Sequence, residues 1–188
     1  MAGEQTPEVC LARGKSNVNR LAFVALGANL GDAKRAILEA MIHLQKLSVE
    51  PLLRSSLWQT APVDCPPGSP PFVNAVVGLA PRPEETPQSL FAKLQTLEKN
   101  SGRKPKTILN EPRPLDLDLI AFGNERRAGK TLTLPHPRAH LRRFVLQPLS
   151  EIAPDFLLPG QSKTVSQLLR VLPPDETMRK IEDPSCGN

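Results

Sequence analysis

Two aspartates, Asp116 and Asp118, stand two residues apart in the segment LDLDLIAF (residues 115–122). The segment alternates with a period of two, which predicts a β-strand that carries both carboxylates on one face. Their Cα atoms would lie about 6 to 7 Å apart, close enough for both side chains to serve neighbouring hard cations. The alternative is a solvated strand face, but aspartate is depleted in strands. The pair therefore predicts a magnesium site of the kind that accompanies phosphate chemistry.

Basic side chains flank this pair in the sequence. Several cations beside a metal site are expected where phosphate oxygens must be neutralised. The alternatives are a mobile surface loop upstream and structural histidines downstream. The upstream residues are Arg103, Lys104, Lys106 and Arg113, and the downstream residues are His136, Arg138, His140, Arg142 and Arg143.

Covalent catalysis has no candidate in the chain, because no serine, cysteine or histidine arrangement suggests a covalent intermediate. The loop between Gly27 and Gly31 lacks both the lysine of a P-loop and a full dinucleotide fingerprint. Catalysis must then come from positioning and charge. Transfer of a phosphate-type group needs little else, because in-line geometry and cation clamps supply most of the rate enhancement.

The elements that must position these residues follow the order β-α-β-β-α-β. Asp32 is a candidate N-cap for the first helix, and Thr86 with Pro87 marks the start of the second, which ends at Gly102. Apolar runs or alternation predict the strands, and apolar residues every three or four positions predict the helices. The strands are predicted at residues 21–26, 53–60, 72–79 and 115–122, and the first helix at residues 33–47.

This order is typical of an α+β fold with a ferredoxin-like βαββαβ core, in which a mainly antiparallel sheet has its helices packed on one face. The other face would be available for a ligand. We expect residues 1–20 to form a flexible N-terminal extension, residues 21–172 a single domain, and residues 173–188 a loosely held C-terminal tail. Segments at residues 141–148 and 162–172 would add peripheral elements.

Composition restricts the function only weakly. The chain has 188 residues, a formal net charge of +5 and three cysteines without metal-like or disulfide-like spacing. These features predict a soluble, cytoplasmic protein with reduced thiols, and no segment is apolar enough for a membrane span. The positive charge suits a polyanionic partner, but it fits an ordinary solvated surface equally well.

Five separate motifs follow one another along the chain: ALGANLGD (25–32), TAP (60–62), FVNA (72–75), RPLDLD (113–118), and LPHPR (134–138) followed by RRFVL (142–146). In their order and spacing they resemble 6-hydroxymethyl-7,8-dihydropterin pyrophosphokinases of folate biosynthesis. The resemblance extends from about residue 21 to residue 159. One departure is Asn110-Glu111, where the family usually has Trp-Gly before the aspartates.

The resemblance implies a reaction and a set of site residues. It implies transfer of pyrophosphate from ATP to the pterin hydroxymethyl oxygen, with release of AMP. It also implies that Asp116 and Asp118 bind two Mg²⁺ ions and that Arg113 acts with them in catalysis. The implied pterin pocket comprises Gly27, Thr60, Pro62, Val63, Phe72, Asn74 and Phe144. The implied ATP contacts are Glu98, Arg103, Lys106, Arg113, Leu119 through its backbone, Thr133, His136 and Arg142.

Two other functions remain open on the residues alone. A non-enzymatic RNA-binding module could use a ferredoxin-like sheet, but the chain has no tyrosine and its acidic pair would repel phosphate without metal. A nucleotide-sugar transferase could use an Asp-x-Asp metal site, but the chain is short for the usual doubly wound domain. We therefore expect ATP and the pterin as partners, with no nucleic acid or membrane partner, and other folate-pathway enzymes as candidate associates.

Overall fold

The computed structural model describes residues 20–62, 65–103 and 111–182. The predicted extension at residues 1–20 lies outside this part of the chain except for Arg20. Residues 183–188 of the predicted tail also lie outside it. Among the predicted site residues and the family departure, Val63, Lys104, Lys106 and Asn110 are likewise outside the described residues.

An α+β fold with a mainly antiparallel sheet is confirmed. The strand β1 (Ala22–Ala28) lies in the middle of the sheet and pairs antiparallel with β4 (Phe72–Leu79) and with β5 (Asp116–Phe122). The three short strands of this sheet are β2 (Leu53–Arg54), β3 (Trp58–Thr60) and β8 (Arg179–Lys180). The order across the sheet is β5-β1-β4-β3-β8, and β2 also pairs with β4.

The first two helices begin where the sequence predicts. In α1 (Ala33–Gln45) the Asp32 side chain accepts a hydrogen bond from the Arg35 N–H at 3.0 Å. In α2 (Pro87–Asn100) Thr86 and Ser89 form a capping box, and Gly102 follows the helix with a φ of +86° that favours glycine. None of the helices in the described ranges combines the length and apolar character needed to cross a membrane.

Helices lie on both faces of the sheet, which corrects the prediction that they pack on one face. The apolar residues Val24, Leu26 and Leu117 point towards α1 and α2, whereas Phe23 and Val76 point towards α3 (Arg143–Ile152) and α4 (Val165–Val171). The predicted peripheral segments therefore build a second core. Sequence periodicity identified α1 and α2, but it could not place α3 on the opposite face because that depends on tertiary contacts.

Two further predictions differ in detail from the structure. The strand predicted at residues 53–60 is split into β2 and β3, which both pair antiparallel with β4 as expected of neighbours. Part of the predicted loose tail, β8, pairs with β3. A small second sheet joins β6 (Arg127–Ala128) to β7 (Thr133–Leu134) and precedes a short 3₁₀ helix at Ala139–Leu141.

Candidate active site

Four residues from four neighbouring strands form a row across one sheet face. Gly27 of β1 lies opposite both Asp116 of β5 and Asn74 of β4, and Trp58 of β3 lies opposite Asn74. Asp118 lies opposite Ala25, so both aspartates are on this face, as the period of two predicts. The row therefore places the acidic pair beside an amide side chain, with only the hydrogen of Gly27 between them.

Asp116 is held by two arginines. Its Oδ1 pairs with Arg103 Nη1 at 2.7 Å, and its Oδ2 pairs with Arg113 Nη1, also at 2.7 Å. Both guanidinium groups are mostly buried, with 17% and 14% of the side chain exposed. The upstream basic segment is therefore folded onto the acidic pair at these two positions, and the carboxylate of Asp116 is neutralised.

Asp118 is less completely neutralised. Its Oδ2 lies 3.8 Å from His136 Nε2 and 3.5 Å from Arg142 Nη1. Burial, followed by the negative charge of Asp116, raises the pKa of the Asp118 carboxyl. Burial also lowers the pKa of His136, which leaves its imidazole neutral near pH 7. The carboxyl of Asp118 therefore has weaker cationic partners than that of Asp116.

Glu98 connects α2 to the strand that carries the aspartates. Its Oε1 accepts a hydrogen bond from the backbone N–H of Leu117 at 2.8 Å and forms an ion pair with Arg103. Glu98 is 8% exposed, and burial raises its pKa to about 7. Because Leu117 separates the two aspartates, this bond fixes the backbone between them.

Aromatic and amide side chains lie beside the ion pairs. The guanidinium of Arg113 stacks over the ring of Phe72 at 5.9 Å, and that of Arg142 over the ring of Phe144 at 5.4 Å. Asn74 Nδ2 donates to Thr60 Oγ1 at 2.8 Å in a buried contact, which leaves Asn74 Oδ1 as an acceptor. The fold thus brings the motifs around Thr60, Phe72 and Phe144 together with the acidic pair.

The other predicted site residues occupy different settings. Leu119 is buried in the core beneath the acidic face, so only its backbone can reach a ligand on that face. Thr133 is exposed, and its hydroxyl donates to the Gly129 carbonyl rather than to the ion-pair network. Pro62 lies in the loop after β3, directly before the undescribed Val63. The roles of these residues stay predictions.

Sequence reasoning assigned no role to Asn29, although it stands within the ALGANLGD motif. Asn29 is 3% exposed and exchanges two hydrogen bonds with Arg113: its N–H donates to the Arg113 carbonyl at 3.1 Å, and its Oδ1 accepts from the Arg113 N–H at 2.8 Å. Its Nδ2 donates to the carbonyl of Pro70 at 3.2 Å. Asn29 therefore ties the end of β1 to the segments that precede β4 and β5.

The sequence matches known proteins over most of its length. A family model described as 7,8-dihydro-6-hydroxymethylpterin-pyrophosphokinase (HPPK) matches residues 23–154. The chain is 36% identical to a 2-amino-4-hydroxy-6-hydroxymethyldihydropteridine pyrophosphokinase of Haemophilus influenzae, over 79% of this chain and 91% of that protein. It is also 36% identical to the Synechocystis protein of the same name, over 79% of this chain and 74% of that one.

Solved structures agree with the fold. The crystal structure of wild-type Plasmodium falciparum HPPK-DHPS superposes with a TM-score of 0.59 at 14% identity and covers 80% of this chain. A triple mutant of that protein with pteroate gives a TM-score of 0.59 at 13% identity. The present chain spans 44% and 42% of these two chains, respectively. These structures therefore support the fold alone.

We predict that Asn29→Ala destabilises the protein, because Asn29 ties the end of β1 to the segments that precede β4 and β5. The change leaves the partly buried Arg113 N–H and the Pro70 carbonyl without their Asn29 partner, which we expect to lower the free energy of unfolding by about 1 to 3 kcal/mol. Urea denaturation measures this effect, with exposed Asn100→Ala as the matched control. Equal stabilities of the two variants would contradict the role given to Asn29.

A second prediction concerns the pH dependence of stability. On folding, the pKa of Glu98 is raised from 4.5 to about 7. Its stabilising contribution to the free energy of unfolding is therefore fully present below pH 4.5 and disappears as the pH rises through about 7. Glu98→Gln removes this titration, so its free energy of unfolding should rise relative to wild type between these pH values. Urea denaturation over this range tests the difference, with exposed Glu39→Gln as control. A constant difference between Glu98→Gln and wild type would refute the assignment.

Proposed function

The chain belongs to the HPPK family, and from this membership we infer that it transfers pyrophosphate from ATP to 6-hydroxymethyl-7,8-dihydropterin in folate biosynthesis. The products are AMP and the pterin diphosphate. The observation that carries this function at the level of the site is the acidic pair on one sheet face, enclosed by Arg103, Arg113 and Arg142.

We propose that Asp116 and Asp118 hold Mg²⁺, with two ions expected. The incomplete neutralisation of Asp118 supports this, because a divalent cation would supply the missing countercharge. Within the described residues no three His, Cys, Asp or Glu side chains cluster as a metal site. The remaining ligands would then be phosphate oxygens and water, as is usual for Mg²⁺. Bound Mg²⁺ would polarise the phosphoryl oxygens and neutralise charge that develops on them.

Arg103 and Arg113 are proposed to clamp the triphosphate. Guanidinium groups bind phosphate oxygens with paired, charge-assisted hydrogen bonds. Arg113 Nε is buried without a hydrogen-bond partner among the described residues, so a donor is available beside Asp116. A phosphate oxygen at this position would satisfy it. Since both arginines pair with Asp116, they lie next to the proposed metal ligands.

His136 and Arg142 are proposed to bind the nucleotide on the other side of Asp118. The N–H of Arg138 donates to His136 Nδ1 at 3.2 Å, which leaves the proton of the neutral imidazole on Nε2, facing Asp118. The N–H of His136 itself donates to the Ile120 carbonyl at 2.8 Å, which holds the residue against β5. His136 can therefore donate a hydrogen bond to a phosphate oxygen without adding charge.

The pterin is proposed to lie between Phe72 and Phe144, with Asn74 at its edge. Aromatic faces and a fixed amide suit a flat polar heterocycle. Among the described residues nothing donates to Asn74 Oδ1, so this atom can accept from a ring N–H while Nδ2 is held by Thr60. Gly27 leaves room at this point, since a Cβ there would lie 3.3 Å from Asn74 Oδ1. The hydroxymethyl oxygen would then face the phosphates bound beside Asp116.

The finer fold assignment belongs with these proposals. The strand order β5-β1-β4-β3, with α1 and α2 on the same face, supports a ferredoxin-like core to which α3, α4 and β8 are added. A cytoplasmic location, the domain bounds at residues 21 and 172, and association with other folate-pathway enzymes stay predictions.

We expect Asp116→Asn and Asp118→Asn each to reduce AMP formation by about two orders of magnitude or more, because each removes a metal-binding carboxylate. The assay follows AMP from ATP, with omission of Mg²⁺ and of the pterin as controls. The exposed Asp155→Asn serves as the matched variant and should keep wild-type activity. ADP as the product, or near-normal rates in both aspartate variants, would rule out the assignment.

Gly27→Ala tests the pterin pocket separately. The added methyl group would lie 3.3 Å from Asn74 Oδ1, tighter than an ordinary contact, and would narrow the space beside the amide. We expect the Kd for the pterin to rise about tenfold or more. The Kd for a non-hydrolysable ATP analogue, measured by calorimetry on the same variant, should stay near that of wild type. Unchanged pterin affinity would place the pterin elsewhere.

A further inference from the structure

The segment after α4 crosses from one side of the candidate pterin pocket to the other. We call residues 173–182 the C-terminal strap. The strap begins after α4, continues to β8, and is hydrogen-bonded to the rest of the domain at three places. The predicted loose tail is thus attached through its described part.

The first attachment is at the start of α3. Arg143 Nε donates to the carbonyl of Pro173 at 2.8 Å, and Arg143 Nη2 donates to the carbonyls of Leu172 at 2.9 Å and Leu169 at 3.3 Å. Arg143 thereby binds the end of α4 and the first residue of the strap. Because Arg143 stands between Arg142 and Phe144 in the sequence, this attachment supports the Phe144 side of the pocket.

The second attachment is at the loop that follows Thr60. The backbone N–H of Ala61 donates to Thr177 Oγ1 at 3.3 Å. Asp175 Oδ1 accepts from the Thr177 hydroxyl at 2.6 Å and from the Thr177 N–H at 2.9 Å. Since the hydroxyl proton is directed to Asp175, a lone pair of Thr177 Oγ1 is left to accept from Ala61.

The third attachment is strand pairing. Lys180 and Arg179 of β8 pair with Trp58 and Gln59 of β3, and the N–H of Ile181 donates to the Leu57 carbonyl at 2.8 Å. The strap therefore covers the edge of β3, the strand that carries Thr60. Thr60 in turn holds Asn74 through its hydroxyl.

We propose that the C-terminal strap fixes the two walls of the pterin pocket relative to each other, with Thr177 and Arg143 as positioning residues for pterin binding. One wall is the loop at Thr60 and Ala61, and the other is the start of α3 at Phe144. The proposal rests on the function proposed above, because that function assigns these walls to the pterin. None of the hydrogen bonds and ion pairs described for the proposed phosphate and nucleotide contacts involves the strap; these contacts are Arg103, Arg113, Asp116, Asp118, His136 and Arg142. Its effect should accordingly fall on the pterin and not on ATP.

Thr177→Val and Thr177→Ser form the matched test. Valine keeps the size of threonine but removes the oxygen that accepts from Ala61, whereas serine keeps the hydroxyl. We expect Thr177→Val to raise the KM for the pterin about three- to tenfold, with the KM for ATP and kcat within about twofold of wild type. Thr177→Ser should restore the wild-type KM. Thr96→Val, which removes an exposed hydroxyl on α2, should have no effect.

Three outcomes would overturn the proposal. These are an unchanged KM for the pterin in Thr177→Val, equal rises in the KM values for pterin and ATP, and failure of Thr177→Ser to restore binding. Wild-type turnover reports separately on the function, since a wild-type protein that makes no AMP would refute the reaction itself. A cooperative urea-denaturation transition in Thr177→Val, compared with that of Thr96→Val, shows that the fold is intact.

A double-mutant cycle tests whether the strap acts as one unit. Arg143→Lys keeps the positive charge but loses the forked donors that reach Pro173 and Leu172. We expect it also to raise the KM for the pterin selectively. Because both changes release the same segment, their combined effect should be smaller than the product of the single effects. Fully multiplicative effects would show two independent attachments and would reject a common strap.

Discussion

The site depends on holding three carboxylates close together in a partly buried place. Glu98, Asp116 and Asp118 all lie at β5 or against it, and like charges in such surroundings are unfavourable unless cations or protons compensate them. The chain uses both means. Arg103 and Arg113 neutralise Asp116, while burial raises the pKa values of Glu98 and Asp118. Of the two aspartates, Asp118 has the weaker compensation by cations, because its contacts to His136 and Arg142 are longer, and it lies on the face that is proposed to receive magnesium and phosphate.

This charge cluster needs a rigid support, and the sheet supplies it because both of its faces are packed. Leu117, between the aspartates, is buried under α1 and α2, and Ile120, two residues beyond Asp118, is buried in the core formed with α3 and α4. A strand that is packed on both faces cannot rotate to separate its carboxylates and so relieve the repulsion between them. Each apolar side chain stabilises the fold by about 1.5 to 3 kcal/mol when it is fully buried, and this burial offsets the cost of holding the carboxylates close together on β5.

Local patterns in the sequence were sufficient for the elements that have regular periodicity or clear caps. The period of two placed Asp116 and Asp118 on one face, and Asp32 and Thr86 marked the helix starts. The sequence could not reveal contacts between residues far apart in the chain. The bond from Ala61 to Thr177 spans 116 positions, and β8 has only two residues, too few for any alternation to be recognised. The motifs identified the family, but they did not indicate that Asn29 or Arg143 holds parts of the candidate site in place.

The two halves of the proposed reaction are kept in register by β1. Gly27 lies opposite both Asn74, on the proposed pterin side, and Asp116, on the proposed phosphate side. A slip of one residue in either pairing would turn a whole set of side chains to the other face, so a register fixed by two buried neighbours is strongly specified. Beyond the last pair, Asn29 continues the connection by bonding to Arg113 and to Pro70. In the proposed site a single strand would thus set the separation between the acceptor oxygen and the phosphates, on which in-line transfer depends.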